Sequence, residues 1–306
     1  MSRRKSTENN RTCRSVAESF QEYGRGAAGG LMFSLPLLYT MEVWRAGFNA
    51  HPWRLAVYVA ATFLLLLGYS RFAGLRHDAG ITEVAIDSVE EMGIGFIISA
   101  VALYLLGRVT FEMPLNESAG QIVIEAMTAA IGVSVGRAQL GGGGEDSGEG
   151  DAGAGQRKRG GKTGQTDGGQ GGEPELHFGG QMLLAFCGAT LFAANVAPTE
   201  EVVVIAVESS WTRLLGLAFV SLSVSAIILH YSEFRGSREF VRTEGFGAVV
   251  VGSVSTYVVA LVTSGLILWF FGRFDGVTLY TSLAQIIVLG VAASLGASAG
   301  RLLLQG

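Results

Sequence analysis

GQIVIEAMTAAIGVSVGRAQL, from Gly120 to Leu140, and AQIIVLGVAASLGASAGRLLL, from Ala284 to Leu304, read as two versions of one segment. Gln121 answers Gln285, Gly132 answers Gly296, Gly136 answers Gly300 and Arg137 answers Arg301, all at a separation of 164 residues. Between the two copies runs GGGGEDSGEGDAGAGQRKRGGKTGQTDGGQGGEPE, Gly141 to Glu175, which holds fifteen glycines and no aromatic or branched aliphatic side chain. Such a stretch buries too little apolar surface to offset the entropy of ordering it, so residues 141–177 are expected to be a disordered linker. The chain therefore reads as a diverged tandem duplication joined by a flexible tether.

Composition sets the class. Only 16% of the residues are charged and the mean hydropathy is +0.40, whereas a soluble domain is about one quarter charged. Outside the linker and the first 26 residues the sequence falls into apolar runs of about 18 residues or more, the length a helix needs to cross a bilayer core. The fold expected is an all-helical, polytopic membrane bundle. The net charge of −4 averages lipid-embedded and loop residues and so says nothing about partners. Cys13 lies in the polar tail and Cys187 in an apolar run, which argues against a disulfide. Residues 1–26 lack a secretory signal, because no apolar core follows the basic start directly. Arg3 and Arg4 are not followed by the apolar residues a twin-arginine signal needs. A cytoplasmic tail with a short surface helix at Val16–Tyr23 is the simpler reading.

Eight apolar segments can be drawn: Ala27–Trp44, Leu55–Phe72, Met92–Arg108 and Ala119–Gly136 in the first half (residues 27–140), and Gly179–Ala197, Trp211–Tyr231, Phe246–Phe271 and Leu279–Leu304 in the second (residues 178–306). Tyr69 and Tyr231 share a Tyr-Ser-x-Phe-x-Gly exit, and Gly107-Arg108 answers Gly272-Arg273. Four spans is an even number, so each half begins and ends on one side and the repeats are parallel. Lys and Arg number six in the N-terminal tail, two between spans two and three, five in the linker region, three between spans six and seven, and Arg301 at the end, seventeen against five on the opposite side. That bias places both termini and the linker in the cytoplasm of a cell-membrane protein.

Two sets of acids are candidates for a polar path. Glu83, Asp87, Glu90 and Glu91 recur at helical spacing ahead of span three, on one face of a helix; the alternative is a water-facing lead-in helix whose acids complement its dipole. Glu125 lies in the middle of span four, where a carboxylate is costly and must face the bundle interior, paired, hydrated or neutralised. Its counterpart in the second half is Leu289. Glu42 after Pro36, and Glu200 and Glu201 after Pro198, fit solvated exits better than a vestibule. Gly132-x-x-x-Gly136 and Gly296-x-x-x-Gly300 invite close helix approach, so spans four and eight are expected to form a seam with each other or with a second copy of the chain. Tyr69 and Tyr231 read as interface anchors, and Ser253, Ser255, Thr256, Thr263 and Ser264 as interhelical hydrogen-bonding groups in span seven. His230 has no companion suited to metal ligation. RKRGGK, Arg157 to Lys162, is too short and too balanced by acids to imply a nucleic-acid partner.

The opening GGLMFSLPLLYTMEVW, the DSVEEMGIG lead into span three and the doubled four-helix plan resemble a family of prokaryotic integral membrane proteins of unknown function. The resemblance implies the architecture and brings no activity, cofactor or catalytic residue. From the residues themselves, the absence of a phosphate loop, nucleophile set or metal-ligand set implies a non-enzyme without a cofactor. Its partners are then the bilayer and, through the small-residue faces, another copy. Two functions remain: a transporter or channel for a small ion or solute, using Glu125 and the Asp87, Glu90 and Glu91 face, or a membrane scaffold or sensor whose acids are surface groups. An asymmetric site is expected, acidic where the first half contributes and hydroxyl-lined where span seven contributes.

Overall fold

The structure is a computed structural model that describes residues 16–73, 80–139, 178–236 and 241–302. The tail up to residue 15, the linker 141–177 and the side chains of Tyr231 and His230 lie outside the described residues. Every regular element described is an α-helix: α1 (Val16–Leu38), α2 (Met41–Asn49), α3 (Pro52–Ala73), α4 (Ile81–Leu105), α5 (Leu115–Gln139), α6 (Phe178–Val196), α7 (Glu200–Glu208), α8 (Trp211–Gly236), α9 (Val241–Phe270) and α10 (Leu279–Leu302). Among the described residues seven helices are long and apolar enough to cross a membrane: α3, α4, α5, α6, α8, α9 and α10. This is the helical membrane architecture the hydropathy implied.

The first expected span needs correction. It does not run from Ala27 to Trp44; the helix begins at Val16, ends at Leu38, and a separate nine-residue helix follows from Met41. Pro36 sits in the last turn of α1, where it has no N–H to give to the carbonyl four residues back. Thr40 then turns extended as the N-cap of α2, and its hydroxyl donates to the Pro36 carbonyl at 2.5 Å. The first turns of α1 carry Glu18, Glu22 and Arg25, which keeps this helix out of the strongly apolar set. The same construction closes α6: Ala197-Pro198 interrupts the chain and Thr199 caps α7, also nine residues long. Glu42 and Glu201 occupy the first turns of these short helices, next to the positive end of the dipole.

At the far end of α4, Gly107 adopts φ +67°, Arg108 N–H donates to Leu103 O at 2.9 Å and Gly107 N–H to Tyr104 O at 3.0 Å. At the end of α9, Gly272 adopts φ +70° and the same two bonds form to Leu268 and Trp269. These are Schellman caps, which need a residue tolerant of the left-handed region. Each brings an arginine against another element of its half. Arg108 lies 3.8 Å over the Trp44 ring, and Arg273 donates to the Pro198 carbonyl.

Packing is organised by two central helices. α5 lies against α1, α2, α3 and α4, and α10 against α6, α7, α8 and α9. The GxxxG glycines do not form a seam between α5 and α10, as expected from sequence. Gly132 and Gly136 instead meet Gly29 of α1, and Gly296 and Gly300 meet Gly188 of α6. A Cβ on Gly29 would stand 2.5 Å from the Gly132 carbonyl oxygen and 2.6 Å from the Gly136 Cα, so backbone touches backbone. Association in lipid depends on such close packing. These glycines are met from within the chain. The two halves meet where α6 packs on α3, α5 and α1. The shared core there includes Tyr58, Ile124 and Met127 from one half and Ala185, Ala189, Phe270 and Leu289 from the other.

Candidate functional site

Glu125 lies at the middle of α5, the most enclosed of the spanning helices, and its side chain is 0% exposed. Neither carboxyl oxygen has a hydrogen-bond partner among the described residues. One turn further along α5, Thr128 Oγ1 lies 3.4 Å from the Tyr58 hydroxyl of α3. The Tyr58 ring stacks on Phe270 of α9 at 4.3 Å and 22°. A buried carboxyl without a fixed cationic partner is open to a proton or to a positively charged solute. Glu125 therefore sits inside the helical bundle.

The acidic face ahead of span three is a different structure. Arg137, at the end of α5, pairs with Glu22 of α1 and lies 3.8 Å from both Glu90 and Glu91 of α4. Glu91 is buried and accepts from the Ser70 hydroxyl of α3 at 3.5 Å. Glu90 and Asp87 are half-buried, and Glu83 is exposed. Tyr23 lies beside this cluster, with its hydroxyl donating to the Glu90 carboxylate. The arginine thus ties α1, α4 and α5 together at one end of the bundle, with Ser70 bringing in α3. Twelve residues separate Glu125 from Arg137, about 18 Å along the helix. The acids expected to share one path form two centres.

The second half holds an arginine in the matching place. Arg301, at the end of α10, donates to the Gly252 carbonyl at 3.1 Å, to Thr256 Oγ1 at 2.7 Å and to Gln181 Oε1 at 2.7 Å. Both arginines are buried, so they are packing groups and not the loop charges they were counted as. The signal was present in sequence: a cation at the tail of an apolar span, repeated 164 residues on, has a reason to be inside. Tyr58 and Thr128 carried no such signal, because an aromatic and a threonine inside apolar runs look like packing.

Other expectations about side chains also change. Tyr69 is not an interface anchor; it is buried with Leu65, Leu66, Val135 and Cys187. In span seven, Thr256, Thr263 and Ser264 each donate to a carbonyl four residues back on their own helix, at 2.8 Å. They are intrahelical donors, although Thr256 also accepts from Arg301. Between α3, α6 and α9 lies a cavity of about 120 Å³, with Tyr58, Phe186, Trp269 and Phe270 among its walls. No group of three His, Cys, Asp or Glu side chains suited to a metal ion occurs among the described residues.

The chain belongs to the family described as "Putative integral membrane protein (DUF2391)", whose model matches residues 22–304. That match takes in both halves and the linker, and begins at the glutamate that pairs with Arg137. No curated protein and no solved structure matches the chain.

Proposed function

We propose that this protein carries a small positively charged solute, the proton included, across the cell membrane, with Glu125 as the site the solute occupies. The observation that carries this reading is the carboxyl of Glu125, fully enclosed and without a hydrogen-bond partner among the described residues. A buried ionisable group without a partner is expensive, and a packing role would be met at lower cost by an apolar residue such as the Leu289 of the other half. The Arg137 cluster is read as a clamp that fixes the end of the bundle; its acids already face a cation and are not the path. No catalytic role is proposed for any residue.

The membrane topology proposed with this function is eight spans, α1 joining the seven apolar helices, in two parallel four-span repeats with both termini cytoplasmic. The short helices support it. Thr40-x-Glu42-Val43 and Thr199-x-Glu201-Val202 are 159 residues apart. Each starts a nine-residue helix that packs on the central helix of its half. Gly29 and Gly188, which make the two seams, are also 159 residues apart.

The test is flux in vesicles reconstituted with the full chain, measured for protons and for monovalent cations. Glu125→Gln keeps the shape and removes the charge, and is expected to abolish flux while the protein elutes and melts as the wild type does. Wild-type flux in that variant would overturn the assignment. No flux from the wild type would favour the scaffold or sensor reading, in which the Arg137 clamp is the central feature.

A further inference from the structure

We infer that the cavity between α3, α6 and α9 binds a lipophilic organic cation that enters from the bilayer and is balanced by Glu125. The inference rests on the reading of Glu125 given above and names the class of solute. The cavity lies where the two halves meet, since α3 belongs to one and α6 and α9 to the other. Its mouth is on the perimeter: the lining residues Val57, Leu266 and Trp269 are 45%, 50% and 37% exposed. A solute reaching it therefore comes through lipid.

The walls decide what kind of solute. Tyr58, Phe186, Trp269 and Phe270 present aromatic rings, whose faces attract alkylammonium groups that lack a tightly held water shell. Apart from the Tyr58 hydroxyl, the side-chain oxygens on the cavity wall are those of Thr62, Thr190 and Thr263, too few to replace a cation's water shell. A hydrated inorganic ion would find little here to replace its water, and its desolvation would go uncompensated. A cation wrapped in alkyl or aryl groups has no such shell to lose. Charge complementarity comes from behind the wall. Tyr58 forms part of the cavity surface, its hydroxyl meets Thr128, and Glu125 lies one turn away on the same helix with no other partner. Tyr58 thus stands between an aromatic cavity and an uncompensated carboxyl, stacked on Phe270 from the opposite half.

The experiment uses the full chain in detergent micelles and two probes of one shape, phenyltrimethylammonium and its neutral isostere tert-butylbenzene, with binding read by calorimetry and by tryptophan fluorescence. The wild type should prefer the cation by about tenfold or more, the scale of a desolvated cation held by aromatic faces and a carboxylate. Glu125→Gln should remove that preference and leave the isostere's binding unchanged. Ala61→Phe, which fills the cavity, should remove both; if it does not fold, as judged by its elution, Thr190→Leu on the opposite wall serves instead. Equal binding of the two probes by the wild type, or cation binding that survives a filled cavity, would overturn the inference. So would a charge preference unchanged in Glu125→Gln. The two proposals fail separately: proton flux that depends on Glu125 without probe binding removes only the organic cation, whereas wild-type flux in Glu125→Gln removes the transport reading whatever the probes do.

Discussion

Alanine substitution at Gly29 and at Gly93 should move stability in opposite directions, and the difference measures the seam. Both glycines lie inside helices, so each change to alanine brings the same backbone gain of about 1 kcal/mol in helix propensity. At Gly93 nothing lies within 4 Å of the new Cβ, and that gain should appear as added stability. At Gly29 the Cβ meets the Gly132 carbonyl oxygen at 2.5 Å and the Gly136 Cα at 2.6 Å, both backbone atoms that no rotamer change can move. Ordinary contact begins at 3.4 Å, so α1 and α5 must part by most of an ångström. Overpacking of this kind costs about 1–3 kcal/mol. Since the propensity gain cancels in the comparison, Gly29→Ala should be less stable than Gly93→Ala by about 1–3 kcal/mol. Unfolding by a denaturing detergent in mixed micelles, followed by tryptophan fluorescence, reads the difference directly. Gly188→Ala, which faces the Gly296 backbone in the other half, should behave as Gly29→Ala does. If the Gly29 and Gly93 variants agree within about 0.5 kcal/mol, the ordinary spread for a substitution that disturbs no packed feature, the close seam is not what holds α1 to α5.

Three further outcomes are expected. Arg137→Met leaves the buried Glu91 without its cation and should cost about 3–5 kcal/mol in the same unfolding assay; adding Glu91→Gln should restore part of that, and no restoration would mean that Arg137 acts through its alkyl packing. Gly107→Ala and Gly272→Ala force a Cβ into the left-handed region at φ +67° and +70° and should each cost about 1–2 kcal/mol; unchanged melting temperatures would show that the two caps can rearrange. A reporter active only outside the cytoplasm should stay silent when fused after Gln165, and a signal there would reverse the proposed orientation.

Most of the fold was legible because hydrophobic length is a strong signal. Segments two to eight each overlap a helix, but the third is displaced: α4 begins at Ile81, eleven residues before the expected Met92, because Glu83, Asp87, Glu90 and Glu91 lower the hydropathy of its first turns without breaking the helix. The first segment was misread because its apolar run continues past Pro36 into Met41–Trp44, and hydropathy does not register a break that leaves polarity unchanged. A GxxxG motif signals a close helix approach without naming the helix that makes it, and here the glycines of α5 and α10 lie against α1 and α6. Gly188 has no other glycine within a turn in α6, and in α1 the Gly26-x-x-x-Gly30 pair brackets Gly29, so spacing alone does not single out the two glycines that the crossing of the helices sets against α10 and α5. Glu125 was visible as a charge in an apolar run. Whether Glu90 and Glu91 shared its environment depended on Arg137, whose position at the end of a span looked like an ordinary inner-side charge.

The placement of Glu125 also limits how anything could reach it. α5 is covered by α1 to α4 within its own half and touched by α6 from the other. At one end the Arg137 cluster joins α1, α4 and α5, with Ser70 of α3 on Glu91. At the other end Gly47 of α2 presses on the Gln121 backbone, where a Cβ would stand 2.8 Å from its Cα. Neither end offers an opening among the described residues without breaking buried ion pairs or unseating a packed helix. The remaining approach is lateral, between α3 and the α6 and α9 pair, where contact is thinner and the cavity already stands open to the perimeter. Movement of Tyr58 off Phe270 would join that cavity to the carboxyl at the cost of one ring stack, about 0.5–1.5 kcal/mol, and one 3.4 Å hydroxyl contact. Tyr58→Ala should then raise the rate at which a cationic probe associates, and a rate unchanged from wild type would place the entrance elsewhere.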